Sequence, residues 1–433
     1  MDNPRKLAFA SLVRADALAS YSNIEINTVI SRSELTKKNA ALYTALYMGV
    51  TEKLITLDYA IAQYSSVSVD KLDIETKNAL RLGFYQLMFM DRIPDYSAVS
   101  ETVSICPKKS KGFVNAVLRS FLRSDKKVEY PNDEWERFSV ISSTPPYIID
   151  IFRRSYGDEA AKAILSDTED KGGVSLRINT LKVKTEDILS ALDKKGVEYK
   201  IEALCGDVIV AYAPISELDG IIGSGDVFVQ DIASRTAVRI FEPKAGMRIL
   251  DACACPGGKS FSSAIDMENK GEIISCDLHR SKLSLIERGA KNLCIDIIKT
   301  REQNGKEYVP ELDSSFDKVL CDVPCSGLGV IRKKPDIKYK KADSVDNLPS
   351  IQLDILKNCS KYVKIGGELM YSTCTLNRKE NEDIVEEFLK DNGSFEYVDF
   401  SVGSIESVGG MYTFLPHITG SDGFFVAKMR RVK

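Results

Sequence analysis

Two cysteines and one aspartate stand where reactive side chains would be exposed. Asp322 closes the apolar run FDKVLCD, Cys325 follows it in PCSG, and Cys374 follows the run GELMYST. Because ligands bind where parallel strands end, we expect all three residues to face one pocket. A thiolate can add to C6 of cytosine and make C5 nucleophilic, while a nearby acid shares a proton with N3. A second cysteine would help when the first is expelled. These residues therefore favour methylation of cytosine C5.

Most cysteines have a simpler interpretation as core residues, because cysteine is among the residue types most often buried. Cys325 and Cys374 differ because each follows an apolar strand and lies in a polar turn, where neighbours can lower a thiol pKa. The cysteines that we expect to be core are Cys276, Cys294, Cys321 and Cys359.

A glycine turn follows an earlier strand of the same region. The apolar run 247–254 leads into PGGKS, with a helix opening at Lys259, an arrangement that suits a nucleotide at a helix N-terminus. A Walker A loop would need glycine at Cys253, and G-x-G-x-x-G is absent, so ATP and NAD are disfavoured. Asp251 and Asp277 end two strands and can accept hydrogen bonds from ribose, although such aspartates also cap helices. The pattern indicates an adenosine-type cofactor.

The pattern along the chain predicts a multidomain protein. Helical spacing of apolar residues in 1–127 predicts an all-α bundle, and 128–170 is predicted as a charged linker followed by helices. Short β-rich runs around a helix in 171–238 predict a small α+β unit of the RRM type. From 239 to 433, apolar strands alternate with glycine turns and helices, which predicts an α/β Rossmann-like domain.

The composition is that of an ordinary globular protein. The 433 residues are 44% hydrophobic and 28% charged, and no run approaches the roughly 18 apolar residues of a membrane span. The first residues lack the apolar stretch of a signal peptide, so we expect a cytoplasmic monomer whose ten cysteines are mostly reduced. Since there is no CxxC pair and the histidines are only His279 and His417, no metal site is expected.

Basic residues gather at two places. Residues 1–127 carry a net positive charge and the remainder a net negative one. Such clusters fit phosphate contacts, although a solvated lysine-rich face is the simpler interpretation of either one alone. The first cluster is Lys108, Lys109, Lys111, Arg119, Arg123, Lys126 and Lys127, and the second is Arg332, Lys333, Lys334, Lys338, Lys340 and Lys341.

The chain resembles the RNA cytosine-C5 methyltransferases in five motifs: DACACPGGKS, ISCDLHRSKL, CDVPCSGLGVIRKKPDIKY, GGELMYSTCT and PHITGSDGFFVAKMRR. Residues 1–125, ending in FVNAVLRSFLR, resemble the NusB-type helical RNA-binding domain, and SLRINTLK and FVQDIASRTA lie between. The resemblance covers nearly the whole chain.

The resemblance implies S-adenosylmethionine as cofactor, 16S rRNA as substrate and a division of labour between the two thiols. Cys374 would add to C6, Cys325 would assist release, and Asp322 would recognise the base. We expect the NusB-like domain and the α+β unit to supply the RNA-binding surface. The expected RNA contacts are Lys108, Lys109, Lys111, Arg177, Arg332, Lys333 and Lys334. The expected cofactor residues are Asp251, Cys253, Cys255, Pro256, Gly257, Gly258, Lys259, Asp277, Arg280, Asn304 and Asp322.

Two positions depart from the family pattern. Cys255 stands where the family usually has alanine, an exchange of small residues from which we expect little change. Asn304 stands where an aspartate is usual. Asparagine can still accept a hydrogen bond from an adenine amino group, but it lacks the negative charge, so cofactor affinity is expected to differ.

Other functions remain open from the sequence. A regulatory RNA-binding protein with an inactive methyltransferase domain is one, although a pure binder needs neither Cys325 nor Cys374. A tRNA substrate is another, as is methylation of an exocyclic nitrogen. Nitrogen methylation needs no covalent cysteine, so that alternative predicts that Cys374→Ala stays active.

Overall fold

The computed structural model describes residues 2–18, 23–166, 173–340 and 346–433. The chain divides into two compact units, Met1–Arg154 with Lys333–Lys340, and Ser155–Arg332 with Lys341–Lys433. The domain boundary predicted at residues 170 and 171 lies outside the described residues, as does Lys341 of the second basic cluster.

The first unit is a bundle of α-helices, as the spacing of its apolar residues predicts. Its core includes the rings of Phe84 and Phe121, which stack with centroids 4.6 Å apart. The segment predicted as a linker becomes helical at Glu134, because the Asp133 carboxylate accepts hydrogen bonds from the first-turn N–H groups. The helices are α1 (Pro4–Ala17), α2 (Asn23–Arg32), α3 (Lys37–Glu52), α4 (Leu54–Tyr64), α5 (Ile74–Phe89), α6 (Asp95–Ile105), α7 (Lys111–Arg123), α8 (Glu134–Ser142) and α9 (Pro146–Tyr156), whose last residues fall in the second unit.

A short segment from far along the chain completes the first unit. Lys338 is 2% exposed, and its Nζ donates to the carbonyls of Glu52 at 3.2 Å and Ser142 at 3.4 Å. These carbonyls end α3 and α8, where the helix leaves them without partners. Burial lowers the pKa of Lys338 to about 8. Lys338 thus caps helix ends, and its inclusion in a phosphate-binding cluster was wrong.

The second unit begins with α10 (Asp158–Ser166) and a small α+β domain. The latter has the βαββαβ order, with an antiparallel sheet in the order β2-β3-β1-β4 and two helices. This confirms the predicted small α+β fold. Its elements are β1 (Val174–Ile178), α11 (Thr185–Lys195), β2 (Tyr199–Ile201), β3 (Val208–Ala211), α12 (Ile215–Gly223) and β4 (Val227–Val229).

The remainder of the second unit is an α/β domain built on a mixed sheet in the order β10-β14-β9-β8-β5-β6-β7, with β13 also on β14. Strands β5 to β9 pair in parallel, and β14 pairs antiparallel with β9, β10 and β13. Its elements are α13 (Ile232–Phe241), β5 (Arg248–Asp251), α14 (Gly258–Asp266), β6 (Glu272–Asp277), α15 (Arg280–Asn292), β7 (Ile298–Glu302), β8 (Phe316–Asp322), α16 (Leu348–Cys359), β9 (Val363–Thr373), α17 (Glu382–Asp391), β10 (Phe395–Tyr397), β11 (Ser401–Val402), β12 (Ile405–Glu406), β13 (Met411–Phe414), α18 (Pro416–Thr419) and β14 (Phe424–Arg431).

A buried ionic network joins the small domain to the α/β domain. Arg177 on β1 is 1% exposed and contacts Asp207 at 2.9 Å and Asp266 at 3.1 Å. Arg235 on α13 contacts the same two carboxylates, at 2.8 and 2.5 Å. Asp266 ends α14, the helix that follows the glycine turn. Two arginines and two carboxylates therefore compensate one another inside the second unit.

Two further expectations differ from the structure. Strand β7 was missed because it is the edge strand of the parallel region and its sequence, IKTRE, alternates with charges instead of forming an apolar run. Cys294 is exposed, so its assignment to the core was wrong, whereas Cys276, Cys321 and Cys359 are buried. Within the described residues, no helix combines the length and apolar character needed to cross a membrane.

Candidate active site

The ends of four parallel strands bring the predicted residues together. β5 ends at Asp251, β6 at Asp277, β8 at Asp322 and β9 at Thr373, directly before Cys374. The neighbouring order β9-β8-β5-β6 places these ends side by side. The carboxyl ends of these strands therefore hold both the acids and the thiols that the sequence singles out.

The two thiols are in contact. Sγ of Cys325 lies 3.2 Å from Sγ of Cys374, and the Gly329 N–H donates to the Cys374 carbonyl at 3.0 Å. A Cβ at Gly329 would lie 2.0 Å from the Gly423 oxygen, so only glycine lets the backbone at position 329 approach Gly423 this closely. The hydrogen bond to Cys374, together with burial, raises the pKa of Cys325 well above its usual range. The Cys325 thiol therefore resists ionisation.

The Asp322 carboxylate is held from both sides. Lys259 Nζ donates to Asp322 Oδ2 at 2.7 Å, and the Ser372 hydroxyl donates to Oδ1 at 2.8 Å. Nζ of Lys259 also lies 4.7 Å from the centroid of the Phe424 ring. Burial lowers the pKa of Lys259, but the charge and hydrogen bond of Asp322 outweigh it, so the pKa is raised overall. Lys259 is thus a fixed cation beside Asp322.

The glycine turn presents a helix N-terminus at this edge. Gly257 has φ of +112°, and a Cβ there would lie 2.4 Å from the Phe261 ring. The α14 helix begins at Gly258, whose carbonyl accepts from Gln230 Nε2 at 3.0 Å. Ser262 in turn donates to Gln230 Oε1 at 2.6 Å. The turn is rigidly supported, and the N–H groups of the first turn of α14 suit a ligand with negative charge or acceptor atoms.

The two predicted ribose acceptors differ in environment. Asp251 is 2% exposed, its Oδ2 accepts from the Ser260 hydroxyl at 2.6 Å, and its buried Oδ1 has no hydrogen-bond partner among the described residues. Burial raises the pKa of Asp251 to about 7. Asp277 accepts from the His279 N–H at 2.9 Å, so it also caps the turn before α15. The unsatisfied oxygen of Asp251 is an acceptor that a ligand could use.

The other predicted cofactor residues lie in or beside the turn. Cys253 and Cys255 are partly buried, whereas Pro256 and Arg280 are exposed. Burial raises the pKa of Cys253 well above its usual range and also raises that of Cys255, so both are neutral thiols.

Asn304 follows the edge strand β7. Its Oδ1 accepts from the Lys306 N–H at 3.2 Å, and its Nδ2 donates to Glu307 at 2.8 Å. The side chain therefore stabilises its own turn, and one acceptor lone pair of Oδ1 remains for a ligand.

The first set of predicted RNA contacts lies at the start of α7. Lys108 and Lys109 are exposed, and Lys109 forms an exposed ion pair with Asp73 at 3.5 Å. Lys111 donates to the Ser104 carbonyl at 3.2 Å. Exposed pairs of this kind are weak, so these lysines can exchange their partners for phosphate.

The remaining predicted RNA contacts are not equivalent. Lys334 is exposed and Lys333 is partly exposed, but the Arg332 side chain is 16% exposed and lies 3.7 Å from Asp422. Arg177 was wrongly predicted to contact RNA, since it is the buried member of the ionic network described above. In the sequence, nothing distinguishes this buried arginine from one on the surface.

Three supporting residues were not predicted from the sequence: Ser372, which holds Asp322, Gln230, which holds the glycine turn, and Ser260, which holds Asp251. Each lies inside a quoted motif, so only its spatial partner was missing. Among the described residues, no group of three or more His, Cys, Asp or Glu side chains is arranged to hold a metal ion.

Three known families match successive parts of the chain. Residues 2–123 match the NusB family, 144–216 match an RsmF/B-like ferredoxin-like domain, and 238–430 match the family described as 16S rRNA methyltransferase RsmB/F. The crystal structure of PH0851 has the same fold, with a TM-score of 0.84 over 100% of this chain and 99% of that one at 23% identity. NSun6 from Pyrococcus horikoshii, solved with SFG, gives 0.62 over 68% and 100% of the chains at 22% identity.

The sequence relationship extends over the full length. The chain is 34% identical to the probable ribosomal RNA small subunit methyltransferase B of Bacillus subtilis over 441 residues, which cover 99% of this chain and 98% of that protein. The motifs, the three-part fold and this similarity agree. The chain belongs to the ribosomal RNA small subunit methyltransferase B family and is an RNA methyltransferase.

Proposed function

We propose that this protein methylates C5 of a cytosine in 16S rRNA, with S-adenosylmethionine as methyl donor and a covalent bond between Cys374 and C6. The observation that carries the proposal is the contact between the two thiols, 3.2 Å apart, beside the Asp322 carboxylate. Methylation of a nitrogen would need neither thiol. A 16S rRNA substrate also implies a cytoplasmic protein.

The residues divide the reaction as follows. The Cys374 thiolate forms a bond to C6, and the electron pair displaced from the C5–C6 double bond makes C5 nucleophilic. Asp322, held by Lys259 and Ser372, shares a proton with N3 as charge develops there. After C5 has gained its methyl group, its proton passes to a water molecule and the N3 proton returns to Asp322. The C5–C6 double bond then re-forms and Cys374 leaves. Cys325, whose sulfur lies 3.2 Å from that of Cys374, can donate a proton to the departing sulfur.

The cofactor fits the glycine turn. Bound S-adenosylmethionine would supply an electrophilic methyl group. Gly257 and Gly258 would let it approach the backbone at the start of α14, Asp277 would accept from the ribose, and Asn304 would accept from the adenine. The unsatisfied oxygen of Asp251 supports a ligand at this place. NSun6, which shares the fold, was solved with SFG, an analogue of this cofactor.

The rRNA would be held through its backbone. We assign phosphate contacts to five lysines of the first unit, because their side chains are at least partly exposed. They are Lys108, Lys109, Lys111, Lys333 and Lys334. The target cytosine must reach the pocket unstacked, from a loop or by base flipping.

The test compares Cys374→Ala with Cys325→Ala, each incubated with cofactor and a 16S rRNA transcript. Cys325→Ala should accumulate a protein–RNA adduct that survives denaturation, because the bond between Cys374 and C6 still forms but is not broken. Cys374→Ala should give no adduct and no methylation. Cys294→Ala is the matched control, since this cysteine is exposed and remote in sequence from both thiols.

The remaining outcomes distinguish the alternatives. An adduct with Cys374→Ala alone would exchange the roles of the thiols. An active Cys374→Ala would indicate nitrogen methylation, and activity on a tRNA transcript in preference to 16S rRNA would change the substrate. An inactive wild-type protein that still binds RNA would support a regulatory role.

A further inference from the structure

A buried carboxylate lies behind the loop that carries Cys325. Glu380 is 0% exposed, and its Oε2 accepts from the Ser326 N–H at 2.8 Å and from Gln352 Nε2 at 3.0 Å. The same Gln352 Nε2 donates to the Pro324 carbonyl at 2.9 Å. The backbone on both sides of Cys325 is therefore fixed, directly or through one side chain, by Glu380.

The next residue does the same for Cys374. Asn381 is 0% exposed; its Oδ1 accepts from the Thr373 hydroxyl at 2.6 Å, and its Nδ2 donates to the Thr375 carbonyl at 3.0 Å. Thr373 and Thr375 flank Cys374. The Thr375 and Ser326 hydroxyls lie 2.7 Å apart, so the two loops are also bonded to each other.

We propose that Glu380 and Asn381 are positioning residues that clamp the two cysteine loops together. The proposal rests on the function proposed above, in which the two thiols have different roles. Because Glu380 and Asn381 are adjacent, a shift of either loop is transmitted to the other. Neither residue faces cofactor or substrate, since both are fully buried.

The chemistry of the contacts requires an acid at position 380. The groups that meet its carboxylate are all donors: the Ser326 N–H, the Gln352 amide and the Asn377 amide at 3.0 Å. An ionised carboxylate accepts from all three, whereas a glutamine amide would place one of its own donors against a donor. The negative charge is also one of the influences that raise the pKa of Cys325.

Glu380→Gln is therefore the direct test, with Glu387→Gln as control because Glu387 is exposed on the following helix. Three quantities are measured on the full-length protein: cofactor affinity, the single-turnover rate of methyl transfer to a 16S rRNA transcript, and the pH dependence of iodoacetamide alkylation at Cys325 by mass spectrometry. We expect transfer to fall about 10- to 100-fold with cofactor affinity unchanged. The alkylation midpoint of Cys325 should move to lower pH.

A second variant separates geometry from charge and serves if Glu380→Gln does not fold. Gln352→Met removes the bonds to Pro324 and to Glu380 but leaves the carboxylate, so transfer should fall while the alkylation midpoint stays at the wild-type pH. The proposed positioning role is contradicted if both variants transfer methyl groups at the same single-turnover rate as the control Glu387→Gln. The charge effect is overturned if Glu380→Gln loses activity with an unshifted midpoint. A fully active Cys374→Ala would instead defeat the proposed function itself.

Discussion

Asp251 gives a stability prediction that depends on pH. In the folded protein its pKa is raised to about 7 by burial, only partly offset by the Ser260 hydroxyl, against 3.8 in an exposed chain. Between these two pH values the folded state holds a proton that the unfolded state has lost. Stability from this site is therefore greatest at low pH and falls as pH rises toward 7. Asp251→Asn cannot ionise and should not show this loss.

The magnitude follows from the two pKa values. Each pKa unit corresponds to about 1.4 kcal/mol. Relative to low pH, the stability that this site contributes therefore falls by about 2 kcal/mol at pH 5.5 and by roughly 4 kcal/mol above pH 7. Relative to wild type, Asp251→Asn should thus gain about 2 kcal/mol of unfolding free energy between pH 5.5 and pH 8. The Ser260 bond survives, because the asparagine oxygen still accepts.

The assay is urea unfolding of wild type and Asp251→Asn at both pH values. Asp296→Asn serves as control, since Asp296 is exposed. Groups that titrate equally in both proteins cancel in the difference. If the difference between Asp251→Asn and wild type is the same at pH 5.5 and pH 8, Asp251 ionises normally and the reasoning about its burial is wrong.

Three further predictions concern the ionic network, the Asp322 pair and the RNA surface. Arg177→Met should lower the unfolding free energy by about 3 kcal/mol, because the partly buried carboxylates of Asp207 and Asp266 lose one of their two arginines. The rRNA affinity of the folded fraction should stay unchanged, and a loss of affinity without destabilisation would indicate that Arg177 contacts RNA. Lys259→Met should slow single-turnover methyl transfer about 10-fold or more by releasing Asp322, with the exposed Lys270→Met as control; equal rates would refute this role. Replacing Lys108, Lys109 and Lys111 by serine should flatten the salt dependence of rRNA binding, by up to about 0.7–0.9 in log–log slope per lost phosphate contact; an unchanged slope would exclude them as contacts.

Much of the site could be predicted because its residues follow strands. A parallel sheet brings strand ends to one edge, so Asp322, Cys325 and Cys374 could be grouped before any distance was known. The glycine turn could be predicted too, because PGGKS follows an apolar strand and precedes a helix. The structure adds the reason for Gly257, which has a positive φ and packs closely against Phe261.

The parts that were missed depend on pairing across the chain. Arg177 and Lys338 appear as ordinary basic residues in the sequence, and only the fold shows that each is buried against distant partners. Glu380 stands in a charged stretch, NRKENED, that suggests an exposed turn. Its burial follows from donors on two other segments, which no local pattern reveals.

The most direct measurement of the central claim is the identity of the cysteine that bonds to the base. A 16S rRNA transcript containing 5-fluorocytidine is incubated with wild-type protein and cofactor. It should trap the adduct, because fluorine replaces the C5 proton whose removal must precede the release of Cys374. After nuclease and protease digestion, mass spectrometry should find the methylated nucleotide on the peptide that contains Cys374. The nucleotide on Cys325, or no adduct on either thiol, would contradict the mechanism.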